Sequence, residues 1–365
     1  MSSEIIRVAI GGQGRSGYMI HADWLQQVPD KYRIVAVADE IEVRRTDAEQ
    51  EFGARTYADW PDMIADGDFD LFVNALPTAY HVPGTIAALE AGKHVVCEKP
   101  MADTVADFDR MVETAKQNNR ILAPFQNNRP QPFFEKIQEI IASGVLGKLI
   151  YIRSSWGAFA RRWDWQTLQK HMGGGLRNTG PHAIDQAMVL FGFDNTPEVF
   201  CRMDCRNPFP GDADDHCTIM LYDPDRKAPQ IEIIISGYMA YTQGDTYQIS
   251  GQYGGLAGGA NGLRWRYFDP AKAPHQDMWG WSVDRQYTRE DLPWEEHTWT
   301  LSEAQDKQAV GYTLKSLPSG PERIYNHLFK AITKGGDLFV PTDQVRPQIA
   351  IIEECLRQNP LPRKR

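Results

Sequence analysis

The 365-residue chain lacks the usual marks of a secreted scaffold, a membrane protein or a nucleic-acid binder. Its five cysteines, Cys97, Cys201, Cys205, Cys217 and Cys355, are an odd count spread along a long chain. That excludes reading them as a disulfide framework. Cys201 and Cys205 form the only close pair, and nothing beside them completes a zinc ligand set. Cys97 lies in an apolar run and reads as core. Basic charge is also short, with 39 Lys and Arg against 48 Asp and Glu, a net charge of −9. A general nucleic-acid binder needs a basic surface to displace counterions, so that class is set aside. No apolar run approaches the roughly 20 residues that span a bilayer. Met1–Arg7 leads straight into a strand without an apolar signal region, so the expectation is a cytoplasmic protein without a membrane partner. Repeats and low-complexity tracts are missing too. None of this restricts a small substrate, because charge inside a cleft can oppose the net charge.

What is present first is β-α alternation. Ile5–Gly11 and Arg33–Asp39 read as strands, the second almost unbroken in apolar character, as suits a strand covered on both faces. Leu71–Leu76, His94–Glu98 and Ile121–Phe125 repeat the signature. Helical patterns fill the gaps at Ser16–Val28, Pro83–Ala91, which stops at Gly92, and Val105–Asn119. This predicts an α/β fold with a doubly wound parallel sheet over residues 1–127. The pattern then changes. After helices at Pro132–Ser143 and Pro181–Phe191, strand-like runs follow with few helices between them: Leu149–Trp156, Glu198–Cys205, His216–Tyr222, Gln230–Tyr238, Thr246–Tyr253 and Leu263–Phe268. A second α/β domain over 128–365, with a large open and mostly antiparallel sheet, is expected. Helices near Pro321–Thr333 and Asp343–Gln358 close it.

Gly12-Gln13-Gly14-Arg15-Ser16-Gly17 fits G-x-G-x-x-G directly between a strand and a helix. The first glycine permits the tight turn, the second lets backbone approach a pyrophosphate, and the third lets helix and strand pack closely. Free N–H groups at the helix start attract the phosphates. Asp39 ends the second strand, 22 residues after Gly17, near the position of a ribose-binding acid. Its carboxylate can accept both ribose hydroxyls and repels a 2′-phosphate. The competing role is an N-cap for the next helix. NAD is the expected cofactor, with NADP left open because Arg44 and Arg45 lie close by.

The fifth strand ends in Glu98-Lys99-Pro100. Ligands of open α/β sheets bind beyond the carboxyl ends of the strands, which aims Lys99 at the cofactor cleft. Pro100 fixes the turn, and a cis bond there would aim Lys99 rigidly. The segment Gly92–Pro100 resembles the signature of the glucose–fructose oxidoreductase / inositol dehydrogenase (Gfo/Idh/MocA) family. So do the loop Leu76-Pro77-Thr78-Ala79-Tyr80-His81, the stretch Gly173–Asp185 and the C-terminal Pro341-Thr342 to Asn359-Pro360-Leu361. The resemblance implies a Rossmann domain followed by an open-sheet α/β domain. It implies dinucleotide contacts from Leu76, Pro77, Thr78, His81, Glu98, Lys99 and Asn127. It also implies that Lys99 and His182 line the reacting carbon. Many members have aspartate where this chain has Asn178; an amide can orient a hydroxyl but cannot take its proton.

The implied chemistry is hydride exchange between nicotinamide and a secondary alcohol of a sugar, cyclitol or polyol. Loss of the hydroxyl proton needs a base within reach. Lys99 exchanging that proton while His182 positions the hydroxyl is one assignment; the reverse is another. Arg129, Trp163 and Trp165 are further substrate candidates, since aromatic faces stack on sugars and arginines bind carboxylates. Trp163 and Trp165 are equally well read as part of a packed loop. His21 and His216 read as structural. Aromatics from Trp265 to Trp299 are expected to cover the open sheet or form a homodimer or homotetramer interface. Two other readings keep the fold: an enzyme that cleaves or epimerises glycosides through transient oxidation on retained NAD, and a dinucleotide-binding regulatory protein without turnover.

Overall fold

The computed structural model describes residues 5–206, 211–241, 245–276, 285, 287, 290–301 and 320–361. Two sheets organise it. The first contains β1 (Ile6–Gly11), β2 (Tyr32–Ala38), β3 (Arg55–Tyr57), β4 (Leu71–Asn74), β5 (His94–Cys97) and β6 (Leu122–Pro124), in the order β3-β2-β1-β4-β5-β6. Every pairing in it is parallel. The order reverses at β1/β4, the switch point beside which ligands bind in such sheets. Val8, Ile10, Val37, Leu71, Val73 and Val96 are essentially inaccessible, as continuous apolar strands require when helices cover both faces.

The second sheet contains β7 (Leu149–Gly157), β8 (Glu198–Asp204), β9 (His216–Tyr222), β10 (Gln230–Ser236), β11 (Tyr247–Gly251), β12 (Gly254–Gly259), β13 (Gly262–Tyr267) and β14 (Glu295–Trp299). Its order is β14-β13-β12-β11-β7-β10-β9-β8. Only β7 and β10 run parallel. Helices Pro132–Ala142, Gly180–Phe191 and Arg346–Gln358 bury their apolar stripes on one face. Phe134, Ile137, Ile184, Met188, Ile219, Ile233 and Ile352 form that core.

Three strands escape the sequence pattern. β3 is three residues long, β12 is four-sixths glycine and β14 is largely polar. Glycine is depleted in strands, so Gly254–Gly259 reads as a turn; here it pairs on both sides, with β11 and β13. The first helix also differs. Gly17–Ala22 is π-helical and passes into a short α-turn, Asp23–Leu25. π-Turns concentrate at functional sites.

The described strands of the first sheet end at Pro124 and those of the second begin at Leu149, but the chain does not stay on its own side. Helix Gly320–Lys334 returns to the first sheet. Tyr325 stacks on Trp24, with centroids 5.1 Å apart, beside Tyr32 and Phe125. Val340, Val345 and Ile349 join the core on the opposite face. Among the cysteines, Cys97 is core as expected. Cys201 lies 3.7 Å from Cys217 on the neighbouring strand rather than beside Cys205. In the aromatic stretch, Trp265 and Tyr267 stack on His297 and Arg266 lies over Trp294. Trp279 and Trp281 lie outside the described residues.

Candidate active site at the sheet edge

The glycine turn has the geometry a dinucleotide needs. Gly12 has φ +91°, and a Cβ there would meet the Ala75 carbonyl oxygen at 2.5 Å. A Cβ on Gly17 would lie 1.8 Å from the Gly12 carbonyl oxygen, so the third glycine is what lets the helix start so close to the strand. Gly14 is the opposite case. Nothing lies within 4 Å of the position its Cβ would take, which leaves an open cradle where a pyrophosphate would sit. Ser16 precedes the π-turn without a side-chain cap bond. Asp39 closes the other end. It is 8% exposed, accepts hydrogen bonds from the Gln13 and Ile41 N–H groups at 2.8 and 2.9 Å, and lies 3.2 Å from Arg44. The Gln13 side-chain amide is buried, and neither its nitrogen nor its oxygen has a protein partner.

β5 delivers Lys99 to the same edge. The Lys99–Pro100 bond is cis. The Lys99 ammonium donates to the backbone carbonyl of Asn178 at 3.1 Å, so the contact joins the first sheet to the second domain. Burial lowers the Lys99 pKa, and the positive charges of Arg15 and Arg162 lower it further, against the opposing charge of Glu98. Glu98 itself points inward. Its carboxylate accepts the Lys99 backbone N–H at 3.0 Å and lies 3.5 Å from the ring of His21. Burial would raise its pKa, yet His21 and Lys99 outweigh burial and bring it down to about 2.

His182 sits in the first turn of helix Gly180–Phe191, beyond Asn178. Burial and the Lys99 charge push its pKa down to about 3. Its Nδ1 is buried without a protein partner. His182 is therefore close enough to Lys99 to sense its charge.

A small cleft lies between Lys99 and the Gly-rich loop. Thr78, Trp165, Gln166, Gly173 and Asn178 share its lining with Lys99. Trp165 is at this wall, and Trp163 beside it is 75% exposed. The Asn178 side chain meets the Gln166 amide at 3.5 Å. Gln166 carried no motif and was missed by the sequence reading. So was the Arg177–Asp103 ion pair, 2.8 Å from Nε to Oδ1, which clamps the Gly-rich loop to the segment after Pro100.

Three candidates hold the scaffold. Arg129 is held by protein acceptors: its guanidinium grips the Asp185 carboxylate at 2.9 and 2.6 Å and also bonds the Gln344 side chain. Those bonds engage three of its five N–H donors. The His81 ring nitrogens lie 2.9 and 2.7 Å from the Leu76 and Pro100 carbonyl oxygens, and the neutral ring that burial favours donates to one of them at a time. It thereby locks the Leu76–His81 loop to the cis turn. Asn127 meets the second domain through its backbone, against Gly320. His21 is core, 2.7 Å from the Tyr325 hydroxyl.

Comparison with known proteins identifies the family. The family description "Oxidoreductase family, NAD-binding Rossmann fold" matches residues 6–126, and "GFO/IDH/MocA C-terminal domain" matches 134–257. The chain belongs to the Gfo/Idh/MocA oxidoreductase family. It is 27% identical to the uncharacterized oxidoreductase YdgJ of Escherichia coli, over 96% of this chain and 95% of that one. It is 24% identical to the scyllo-inositol 2-dehydrogenase (NADP(+)) IolW of Bacillus subtilis, over 98% and 94%. With an oxidoreductase of Schizosaccharomyces pombe the identity is 30%, and the match spans only 64% of that relative's length. Among solved structures, the oxidoreductase yvaA of Bacillus subtilis superposes with a TM-score of 0.76 at 20% identity, covering 98% of this chain and 96% of that one, which speaks to fold alone.

Proposed function

We propose that this oxidoreductase moves hydride between NAD and a secondary alcohol of a sugar, cyclitol or related polyol, with Lys99 exchanging the hydroxyl proton. The observation that carries this reading is the Lys99 ammonium, held beside Asn178 and His182 at the carboxyl edge of a nucleotide-binding sheet. The turn at Gly12, Gly14 and Gly17 fits the pyrophosphate, and Asp39 fits the adenosine ribose of NAD better than a 2′-phosphate. When bound, NAD supplies the hydride acceptor. Relatives named for inositol and D-glucoside substrates support the ring-alcohol class.

The chain's own groups divide the remaining work. A lysine amine at its ordinary pKa is a poor base near neutrality. Burial and neighbouring cations bring Lys99 toward the working range. Its neutral amine takes the hydroxyl proton as the C–H bond breaks, and in reduction its ammonium returns it. His182, neutral at any ordinary pH, fixes the hydroxyl by hydrogen bonding. Asn178 and Gln166 orient neighbouring hydroxyls, and Trp165 offers an apolar wall for a sugar face.

The test is turnover of a polyol panel with NAD by the wild type, Lys99→Met and His182→Ala. Lys99→Met is expected to lower kcat by about 10²- to 10⁴-fold with NAD affinity kept. Near-wild-type kcat in both variants would defeat the assignment. Sugar conversion without net reduced cofactor would instead indicate transient oxidation on retained NAD. Binding without turnover would indicate a regulatory protein. Self-association through the second sheet belongs to the same proposal, supported by Phe200 and Tyr222 exposed on β8 and β9.

A further inference from the structure

Asp214 is a carboxylate in an expensive place. It is 4% exposed and lies outside the cleft, behind the Gly-rich loop. Its Oδ2 accepts the Leu176 N–H at 2.7 Å, and its backbone carbonyl accepts the Gly175 N–H at 2.9 Å. The fit around it is tight. A Cβ on Gly174 would lie 1.9 Å from Asp214 Oδ1, and one on Gly173 would lie 2.3 Å from the Gln166 carbonyl oxygen. Those glycines are needed so that the loop can lie flat between Gln166 and Asp214. The neighbouring backbone docks too, with the Asp212 and Ala213 N–H groups donating to the Thr167 carbonyl at 2.9 and 3.0 Å. Arg177, the nearest cation, is already committed to Asp103. A buried anion without its own cation destabilises a fold, so something else must account for its presence.

We propose that Asp214 is a positioning residue for the active site: its carboxylate anchors the backbone of Gly175–Asn178 so that the Asn178 carbonyl meets Lys99. The path is short. Asp214 holds the Leu176 N–H, Leu176 lies two residues before Asn178 on one helical turn, and the Asn178 carbonyl accepts the Lys99 ammonium. A charged acceptor grips an N–H about twice as strongly as a neutral one. Burial raises the Asp214 pKa to about 6, against the Leu176 N–H and Arg177; Asp215 adds to the rise, and the Cys217 and Cys355 thiols also feel this charge. The anchor is therefore at full strength above about pH 6 and weakens as the carboxyl protonates below it.

The catalytic consequence rests on the function proposed above, but the first readout does not. Hydrogen exchange of the 173–178 segment, followed by mass spectrometry and scaled for intrinsic exchange, needs no substrate. The Leu176 N–H holds the Asp214 pKa down, so a loop opening that breaks this bond and leaves Asp214 buried raises that pKa further, and wild-type protection is expected to fall as pH drops toward about 6. In Asp214→Asn, protection at pH 8 is expected to be about tenfold lower and pH-independent through that range. Asp214→Asn is also expected to melt no lower than the wild type, because the buried charge is gone, while kcat falls about tenfold through misplacement of Lys99. Protection independent of pH between 5 and 8 in the wild type would overturn the proposal, even if the variant failed to fold. So would a folded Asp214→Asn protein with wild-type protection and kcat.

Discussion

The Asn178 backbone carbonyl holds the Lys99 ammonium at 3.1 Å across the junction of the two sheets. The residue that departs from the family's usual aspartate thus contributes through its main chain, which no side-chain substitution alters. That relationship joins the sequence signature Glu98-Lys99-Pro100 to the Gly-rich histidine segment.

The pH dependence of turnover follows from it. With Lys99 as the proposed base, alcohol oxidation needs it neutral, so kcat/KM for oxidation is expected to rise with pH through a midpoint below the ordinary lysine value. Reduction needs the ammonium and runs the other way. His182, already neutral above about pH 3, adds no limb near neutrality, and His182→Asn leaves the midpoint in place. Rate profiles in both directions check this; parallel profiles would reject it.

The proposed preference for NAD assigns cofactor choice to Asp39 and Arg44. The buried carboxylate repels a 2′-phosphate, and Arg44 beside it is poised to accept one. Asp39→Ser is expected to shift the ratio of kcat/KM for NAD over NADP by at least about tenfold toward NADP. Adding Arg44→Ala should cancel the gain. An unchanged ratio in Asp39→Ser would show that discrimination lies elsewhere.

Arg129 and Asp185 test the reassignment of a substrate candidate to the scaffold. Arg129→Met leaves a buried carboxylate without its partner and should lower unfolding free energy by about 3–5 kcal/mol. Arg129→Met combined with Asp185→Leu should recover much of the loss. Denaturant melts of the three proteins decide. A single variant as stable as the wild type would return Arg129 to the list of ligand residues.

Local signals were legible and distant partnerships were not. The parallel domain announced itself through apolar strands, Gly12, Gly14, Gly17 and Asp39, because each follows from the backbone conformation at its own position. Lys99 and His182 stand out through motifs that lie on single elements. The Arg129 partnership with Asp185 was not legible because the two lie 56 residues apart and nothing in composition links them. β12 was invisible because Gly254–Gly259 gains its strand conformation only from neighbours on both sides. The amphipathic pattern at Pro321–Thr333 showed that a helix had an apolar face, but not that Trp24 and Tyr32 would receive it.

That last contact bears on biosynthesis. The pocket around Trp24, Tyr32 and Phe125 is filled by Tyr325, a residue translated after every described strand of both sheets. The nucleotide-binding half therefore stays open until that helix is made. Premature termination upstream of that helix leaves aromatic surface uncovered, the kind of surface that chaperones and proteases recognise.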